Sequence, residues 1–495
     1  MNLLPWTIHL CFLGAAVMAF LPRERASWAR WLALGVAAAT LGVGLVAGAC
    51  YDPARDGLVT LVRLPWIPQI HSEFHLAADG ISLTLVVLTG LASVAGVLFS
   101  WNISHRRKEF FALYLALVGG VFGVFLSMDV LLFFVFYEIA IIPKYFLIAI
   151  WGSTNREYGA MKLALYSFVG SAMVLVGLIV VLVTQGTCDL AALVHSPLPA
   201  TSQAWLFPLV FLGFAILAGL WPFHTWAPTG HVAAPTAASM LLAGVVMKLG
   251  AYGCLRVAMT LFPEGLVQWQ MPMAVLAGVG IVWGAFVALV QDDFKFVIGY
   301  SSVSHMGFVM LGLMTLGLTG LTGAILQMFS HGIIAGLLFA VVGRMVYERT
   351  HTRDLAQLEA MALGRRLPWI AGAFVLAGLA SMGMPGFSGF VAELAVLQGT
   401  WSAFPGLAVV GGLGVLLAAA YTLRAAVKAF FGDKPAPESD AHEAFEALTW
   451  PEIAGVCLLL ASTVWVGLCP GRIWSWIEAG LRTDLMQGLW KGGAS

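Results

Sequence analysis

The sequence predicts an all-α polytopic membrane protein of about 14 transmembrane helices, and three observations carry that expectation. Of its 495 residues, 60% are hydrophobic and 10% are charged. A soluble domain is roughly 25% charged, so most of this surface must face lipid. Apolar runs of the length that crosses a bilayer, about twenty residues, recur fourteen times. Finally, a few isolated acids, bases and imidazoles sit deep inside those runs, where they are costly to insert.

The spans fall at roughly 3–21, 29–50, 80–101, 108–126, 129–151, 160–184, 205–229, 235–261, 272–291, 295–315, 319–347, 367–402, 405–431 and 449–470. No basic residue precedes the first run, so it reads as a retained span and not as a cleaved signal peptide. The fifth, FFVFYEIAIIPKYFLIAIWG, holds Glu138 and Lys144, with Pro143 directly before the lysine. The seventh is interrupted by Pro222 and Pro228, and the twelfth by MGMPGFSG around Pro385. The tail from Pro470 to Ser495, with Trp474, Trp476 and Trp490, reads as an interfacial helix. The six cysteines are scattered with no paired spacing and read as apolar filler, with no metal and no disulfide framework. A formal net charge of zero and the absence of a Lys/Arg cluster leave no case for nucleic acid.

Lysines and arginines set the orientation. Loops after odd-numbered spans hold seventeen of the 25, among them Arg23, Arg25, Arg106, Lys295, Arg349 and Lys434. The opposite side holds six, among them Arg55, Arg63, Arg256 and Lys491, which leaves two, Lys144 and Lys248, deep in the membrane. Both termini are therefore expected outside, with the basic loops in the cytoplasm.

Sorted by depth, the ionisable groups near the midplane are Glu138, Lys144, Lys248, His305, His331 and Glu393, spread over spans 5, 8, 10, 11 and 12. Such groups are the raw material of a proton relay, since each takes and releases a proton. A lone histidine is more often a satisfied core residue, and a lone Glu–Lys pair can be glue between helices. Six groups on five spans, with two spans broken, favour transport. Freed backbone groups at a break must be buried in protein or line a wet cavity, and carriers built from inverted repeats place breaks at their ion sites. Spans 4–8 and 9–13 form two blocks of five, each broken in its fourth helix, and an odd number of spans inverts the second block. The expected organisation is an N-terminal segment 1–107, a first half-channel repeat 108–261, an inverted second repeat 262–431, and a C-terminal span with its interfacial helix, 432–495.

The segments FHTWAPTGHVAAPTAASMLLAGVVMKLGAYG, YSSVSHMGFVMLG, QMFSHGIIAGLLF, YERTHTRDL and GMPGFSGFVAELAVL closely resemble the antiporter-like subunits of respiratory complex I, the M-type best, over nearly the whole chain. The resemblance implies a fourteen-helix proton-translocating membrane-arm subunit of an NADH:quinone oxidoreductase in a bacterial inner membrane. It implies no cofactor in this subunit, with NADH, FMN, iron–sulfur clusters and quinone elsewhere in the complex, and partners among other membrane-arm subunits on both lateral faces, with lipid around them. By position, Glu138 matches the family's span-5 glutamate, Lys248 its central span-8 lysine, His305 and His331 its connecting residues, and Glu393 its terminal carboxylate.

Two departures stand out. The family lysine in the first half of span 7 is here Leu217, and the family aspartate in the next loop is here Thr229. Lys144 stands where the family usually has an uncharged residue. The expectation is that Lys144 replaces the missing amine as the basic partner of Glu138, although six residues of helix separate them by about 9 Å of rise and about 120°; the alternative is that Lys144 snorkels to the cytoplasmic side. Competing functions are a subunit of a multi-subunit cation/proton antiporter or membrane hydrogenase, and a non-pumping structural spacer. No nucleophile–base constellation or nucleotide-binding glycine motif supports a free-standing enzyme.

Overall fold

The computed structural model describes residues 1–22, 24, 26–432 and 445–490. Arg23, Arg25, Lys434 and Lys491, counted above for orientation, lie outside the described residues. Among those described, twelve helices are long and apolar enough to cross a membrane, and shorter apolar helices complete fourteen spans. In order they are Pro5–Phe20, Trp28–Cys50, Gly80–Phe99, Arg107–Leu126, Val130–Trp151, Arg156–Gln185, Ala200–Ala233, Thr236–Met259, Pro263–Val290, Phe294–Met314, Leu318–Thr350, the pair Pro368–Ser381 and Ser388–Ala403, Pro405–Phe430, and Trp450–Leu468. Span 9 begins nine residues before its expected start at 272, at Pro263.

Burial sorts the helices. Spans 8 and 11 are buried along their whole apolar windows and span 3 over 94% of its own, whereas spans 2, 6, 13 and 14 are buried over only 33–39%. The first group forms the axis of the bundle, and the second presents its apolar side chains to lipid or to neighbours.

The two breaks have different local causes. Span 7 ends its first half, Ala200–Ala218, at Gly219, whose φ of +80° glycine alone adopts without strain, and resumes at Trp226–Ala233. Pro222 lies in the interruption. Pro228, expected to be a second breaker, does not break the chain: it sits in the first turn of Trp226–Ala233, where its missing N–H has no helical acceptor to lose. Span 12 unwinds across Met382–Phe387, as expected around Pro385. Span 5 runs unbroken through Pro143.

Spans 8 and 11 depart from α-helical winding. Leu242–Val246, Cys254–Met259 and Val341–Tyr347 are π-helical, an extra-wide turn that recurs at functional sites. Arg256, counted above among loop residues on the outer side, is instead fully buried within span 8. Its Nη2 donates to Asp79 Oδ2 at 2.6 Å, and both side chains are 0% exposed. Asp79 also caps span 3 by accepting from the Ser82 amide.

Between spans 2 and 3 the chain makes an antiparallel hairpin, Val59–Ile67 with Ser72–Ala78, that the reading of the sequence left unassigned. Two loop pairings fasten the roots of spans 5 and 10. Val130 N donates to Cys188 O and Leu190 N to Met128 O, both at 2.9 Å; Phe294 N donates to Arg353 O at 2.8 Å and Leu355 N to Asp292 O at 2.9 Å. In each pairing an aspartate caps the helix that follows: Asp129, Asp189, Asp293 and Asp354.

The C-terminal helix is Gly471–Leu481. Its apolar face, Ile473, Trp476, Ile477 and Leu481, is buried against the protein itself. Trp476 lies so close over Gly48 and Gly80 that a side chain at either position would collide with it.

Candidate functional site

Four of the six midmembrane residues form a continuous buried row. Lys248 lies between two π-helical stretches of span 8, and the backbones of Gly244 and Gly332 touch beside it, a Cβ on Gly332 meeting the Gly244 carbonyl oxygen at 2.6 Å. That approach brings Lys248 Nζ to 2.7 Å from His331 Nδ1 on span 11, and Nζ also donates to the Ala243 carbonyl. With Nζ as donor, Nδ1 accepts and the ring proton of His331 sits on Nε2. The His331 and His305 rings lie 5.4 Å apart, centre to centre. His305 Nδ1 is then 3.1 Å from Glu393 Oε1 on the second half of span 12. Lys248, His331, His305 and Glu393 are 0%, 3%, 4% and 4% exposed.

The span-12 break positions the last carboxylate. Gly383 has a φ of +69°, and a Cβ there would lie 2.7 Å from Glu393 Oε2. Three further side chains, missed in the sequence because they are polar but uncharged, close the cage. Gln327 Nε2 donates to Glu393 Oε1 at 3.3 Å, Ser381 Oγ lies 3.2 Å from His305 Nε2, and the Tyr421 hydroxyl lies 3.4 Å from the same nitrogen. Gln327 stands four residues before His331 on the same helix face, and that spacing was the signal available. Also missed is His231, wholly buried with neither ring nitrogen hydrogen-bonded. Close by, Lys295 Nζ donates to the Ala234 and Val232 carbonyls at 2.7 and 3.3 Å.

Glu138 and Lys144 stand apart from this row and from each other. Among the described residues no ion pair within 4.0 Å joins them. Lys144 is 0% exposed and donates to Ser167 Oγ on span 6 at 3.2 Å. Glu138 is half-buried, and its Oε1 is enclosed without a hydrogen-bond partner. Phe133, Tyr137 and Phe214 pack between span 5 and span 7, with ring centres 5.5–6.5 Å apart. Leu217 is 1% exposed and packs with its backbone against Gly250 of span 8. Among the described residues one group of His and acid side chains has metal-ligand spacing, Glu73, His75 and Asp189, and it lies at the hairpin, outside the row. All six cysteines are free.

The transmembrane family described as NADH:quinone oxidoreductase/Mrp antiporter matches residues 127–418, more than half of the chain and all four residues of the row. The chain belongs to this family. Relatives within it include NADH-quinone oxidoreductase subunit M of Rhodobacter capsulatus, 36% identical over 95% of this chain and 94% of that protein. NAD(P)H-quinone oxidoreductase chain 4 1 of Synechococcus sp. (strain JA-3-3Ab) is 38% identical over 94% and 90%. Among solved structures, a chain of respiratory complex I from Thermus thermophilus with bound NADH superposes with a TM-score of 0.88 at 27% identity, over 98% of this chain and 99% of that one. A chain of the Mrp complex from Dietzia sp. DQ12-45-1b shares the fold, with a TM-score of 0.84 at 22% identity over 99% of both.

Proposed function

We propose that this chain is the M-type proton-translocating subunit in the membrane arm of an NADH:quinone oxidoreductase. It passes protons along Lys248, His331, His305 and Glu393 while quinone is reduced elsewhere in the assembly. The observation that carries this reading is the succession of the row: two of its three links are within direct proton-transfer distance, and the third joins two imidazole rings whose centres lie 5.4 Å apart. The redox groups and nucleotide belong to other subunits, and energy reaches this one through lateral partners on both faces. The membrane is a bacterial inner membrane in this reading, and the surplus of basic loops after odd-numbered spans supports both termini outside. Spans 4–8 and 9–13 act as inverted half-channels, a reading supported by the two matching loop pairings at Asp129/Asp189 and Asp293/Asp354 and by the break in the fourth helix of each block.

In this reading Glu138 and Lys144 form the switch at the lateral end. Lys144 is the amine that Leu217 no longer supplies, acting through space and not by contact. Its partner Ser167 lies three residues, and so one helix face, from Gly170, which touches Gly213 of span 7 four residues before Leu217. On this reading the lysine stands in for a span-7 amine from the interface of spans 5 and 6. A non-pumping spacer fits poorly, because a spacer gains nothing from a buried row that costs stability. An Mrp-type antiporter subunit shares the fold but has weaker sequence support, and nothing specific favours a hydrogenase subunit.

The test is NADH-driven proton uptake in membrane vesicles at matched assembly. Lys248→Met and Lys144→Met should each abolish uptake, and adding Leu217→Lys to Lys144→Met should restore part of it. Full pumping by Lys248→Met would end the relay reading, and full pumping by Lys144→Met alone would end the switch reading.

A further inference from the structure

Away from the row, on the face that carries both chain ends, three metal-ligand side chains converge. Glu73 and His75 come from the second hairpin strand and Asp189 from the loop after span 6, with one ligand atom of each within 4.8 Å of the other two. His75 is 4% exposed. Its Nε2 lies 3.5 Å from Thr60 Oγ1 on the facing strand. Its Nδ1 points at Asp189 Oδ1 from 3.7 Å and has no hydrogen-bond partner. When Nε2 carries the ring proton towards Thr60, Nδ1 turns a bare lone pair to a carboxylate oxygen. Two acceptors facing each other repel unless a cation stands between them.

Arg63 neutralises only the other side of the cluster. Its Nε and Nη2 take Glu73 Oε2 at 2.6 Å and Asp189 Oδ2 at 2.9 Å, which leaves Asp189 Oδ1 facing His75. The Arg63 side chain is 51% exposed, so solvent reaches the guanidinium that occupies this side of the cluster.

The geometry points to a binding site for a divalent transition cation of the zinc class, held by His75 Nδ1, Asp189 and Glu73 with a fourth position open to water, in competition with the Arg63 guanidinium. Three protein ligands with an open position are a common zinc arrangement, and a neutral imidazole excludes calcium and magnesium, which take oxygen donors. The Thr60 hydroxyl orients the imidazole from behind, as outer partners of ligating histidines do. Occupancy fastens the hairpin to the root of span 5, because Met128 N donates to His75 O at 2.9 Å and Glu73 N to Asp129 Oδ2 at 2.8 Å.

The experiment is equilibration of the purified assembled complex in zinc buffers, with bound zinc measured by elemental analysis for wild type, His75→Gln and Arg63→Gln. Wild type should take up zinc reversibly by chelator, and excess magnesium should not compete. His75→Gln should weaken binding by roughly tenfold or more. Arg63→Gln, by removing the competing cation, should tighten it, a change opposite in sign to anything misfolding produces. Equal zinc uptake in wild type and His75→Gln overturns the proposal. So does failure of both wild type and Arg63→Gln to bind zinc, in which case Nδ1 carries the ring proton and faces Asp189 Oδ1 as a donor.

Discussion

Replacing Asp79 by Asn tests how span 8 is held. The substitution keeps the shape and the cap of span 3 but removes the charge opposite Arg256, whose guanidinium is 0% exposed and already has one nitrogen, Nη1, without a partner. Removing one member of a buried ion pair leaves an uncompensated charge, at a cost of about 3–5 kcal/mol. The Tyr252 and Ser82 hydroxyls, 3.1 and 3.4 Å from the guanidinium, share only part of that charge. By contrast, Asp79→Asn combined with Arg256→Met replaces the pair by neutral groups, and such replacements fall within about 1 kcal/mol of neutral or stabilise. The double variant should therefore be more stable than the Asp79→Asn single, with a coupling of roughly 2–4 kcal/mol. The assay is thermal inactivation of the detergent-solubilised complex together with the yield of assembled subunit. Arg256 lies eight residues, about 12 Å of helix, from Lys248, so proton uptake should fall along with stability in the single variant. An Asp79→Asn protein as stable as wild type would show that the pair is solvated or dispensable, and the account of how span 8 is anchored would fail.

Other perturbations address the row directly. Gly332→Ala forces a methyl group against the Gly244 carbonyl and the Leu88 side chain, overpacking by about 1–3 kcal/mol; proton uptake should drop while electron transfer with uncoupler present is largely kept. Gly383→Ala places a side chain at φ +69° and against Glu393, costing about 1–2 kcal/mol, and should lower pumping more than Gly386→Ala, where φ is +99° but the space beyond is open. Tyr421→Phe deletes one hydroxyl beside His305 and should slow uptake by only a few fold, because Ser381 remains on the same nitrogen; complete loss would make Tyr421 an obligatory carrier.

The spans were legible because lipid imposes one requirement, continuous apolarity, on every turn of a crossing helix. Span 9 shows the limit: Gln268, Gln270 and Pro272 dilute the hydropathy of its first turns, yet Pro263 starts the helix, Gln268 stays exposed, and Gln270 is satisfied by donating Nε2 to the Met314 carbonyl at 2.7 Å. The row was legible as chemistry, since a charge in an apolar run is conspicuous, but its order in space was not. Which spans touch depends on backbone approach at Gly244 and Gly332 and on π-helical turns, and no periodicity announces either. The hairpin escaped notice because VTLVRLPWI alternates only weakly and was passed over as a connection between spans. Arg256 was misplaced because counting charges by distance from a span's end ignores a buried aspartate 177 residues away in sequence.

The loop pairings at the roots of spans 5 and 10 each tie the start of a helix to a loop distant in sequence. Span 5 is clamped where Val130 and Leu190 exchange hydrogen bonds with Cys188 and Met128, and span 10 is clamped at the membrane's other face by Phe294 and Leu355. Counted from the clamp, Glu138 lies about 12 Å along span 5 and Lys144 about 21 Å. The two charged residues of span 5 therefore stand at different distances from its anchored end, Glu138 nearer and Lys144 farther. Span 10 is rooted on the opposite face, so the two clamps hold the bundle from opposite ends.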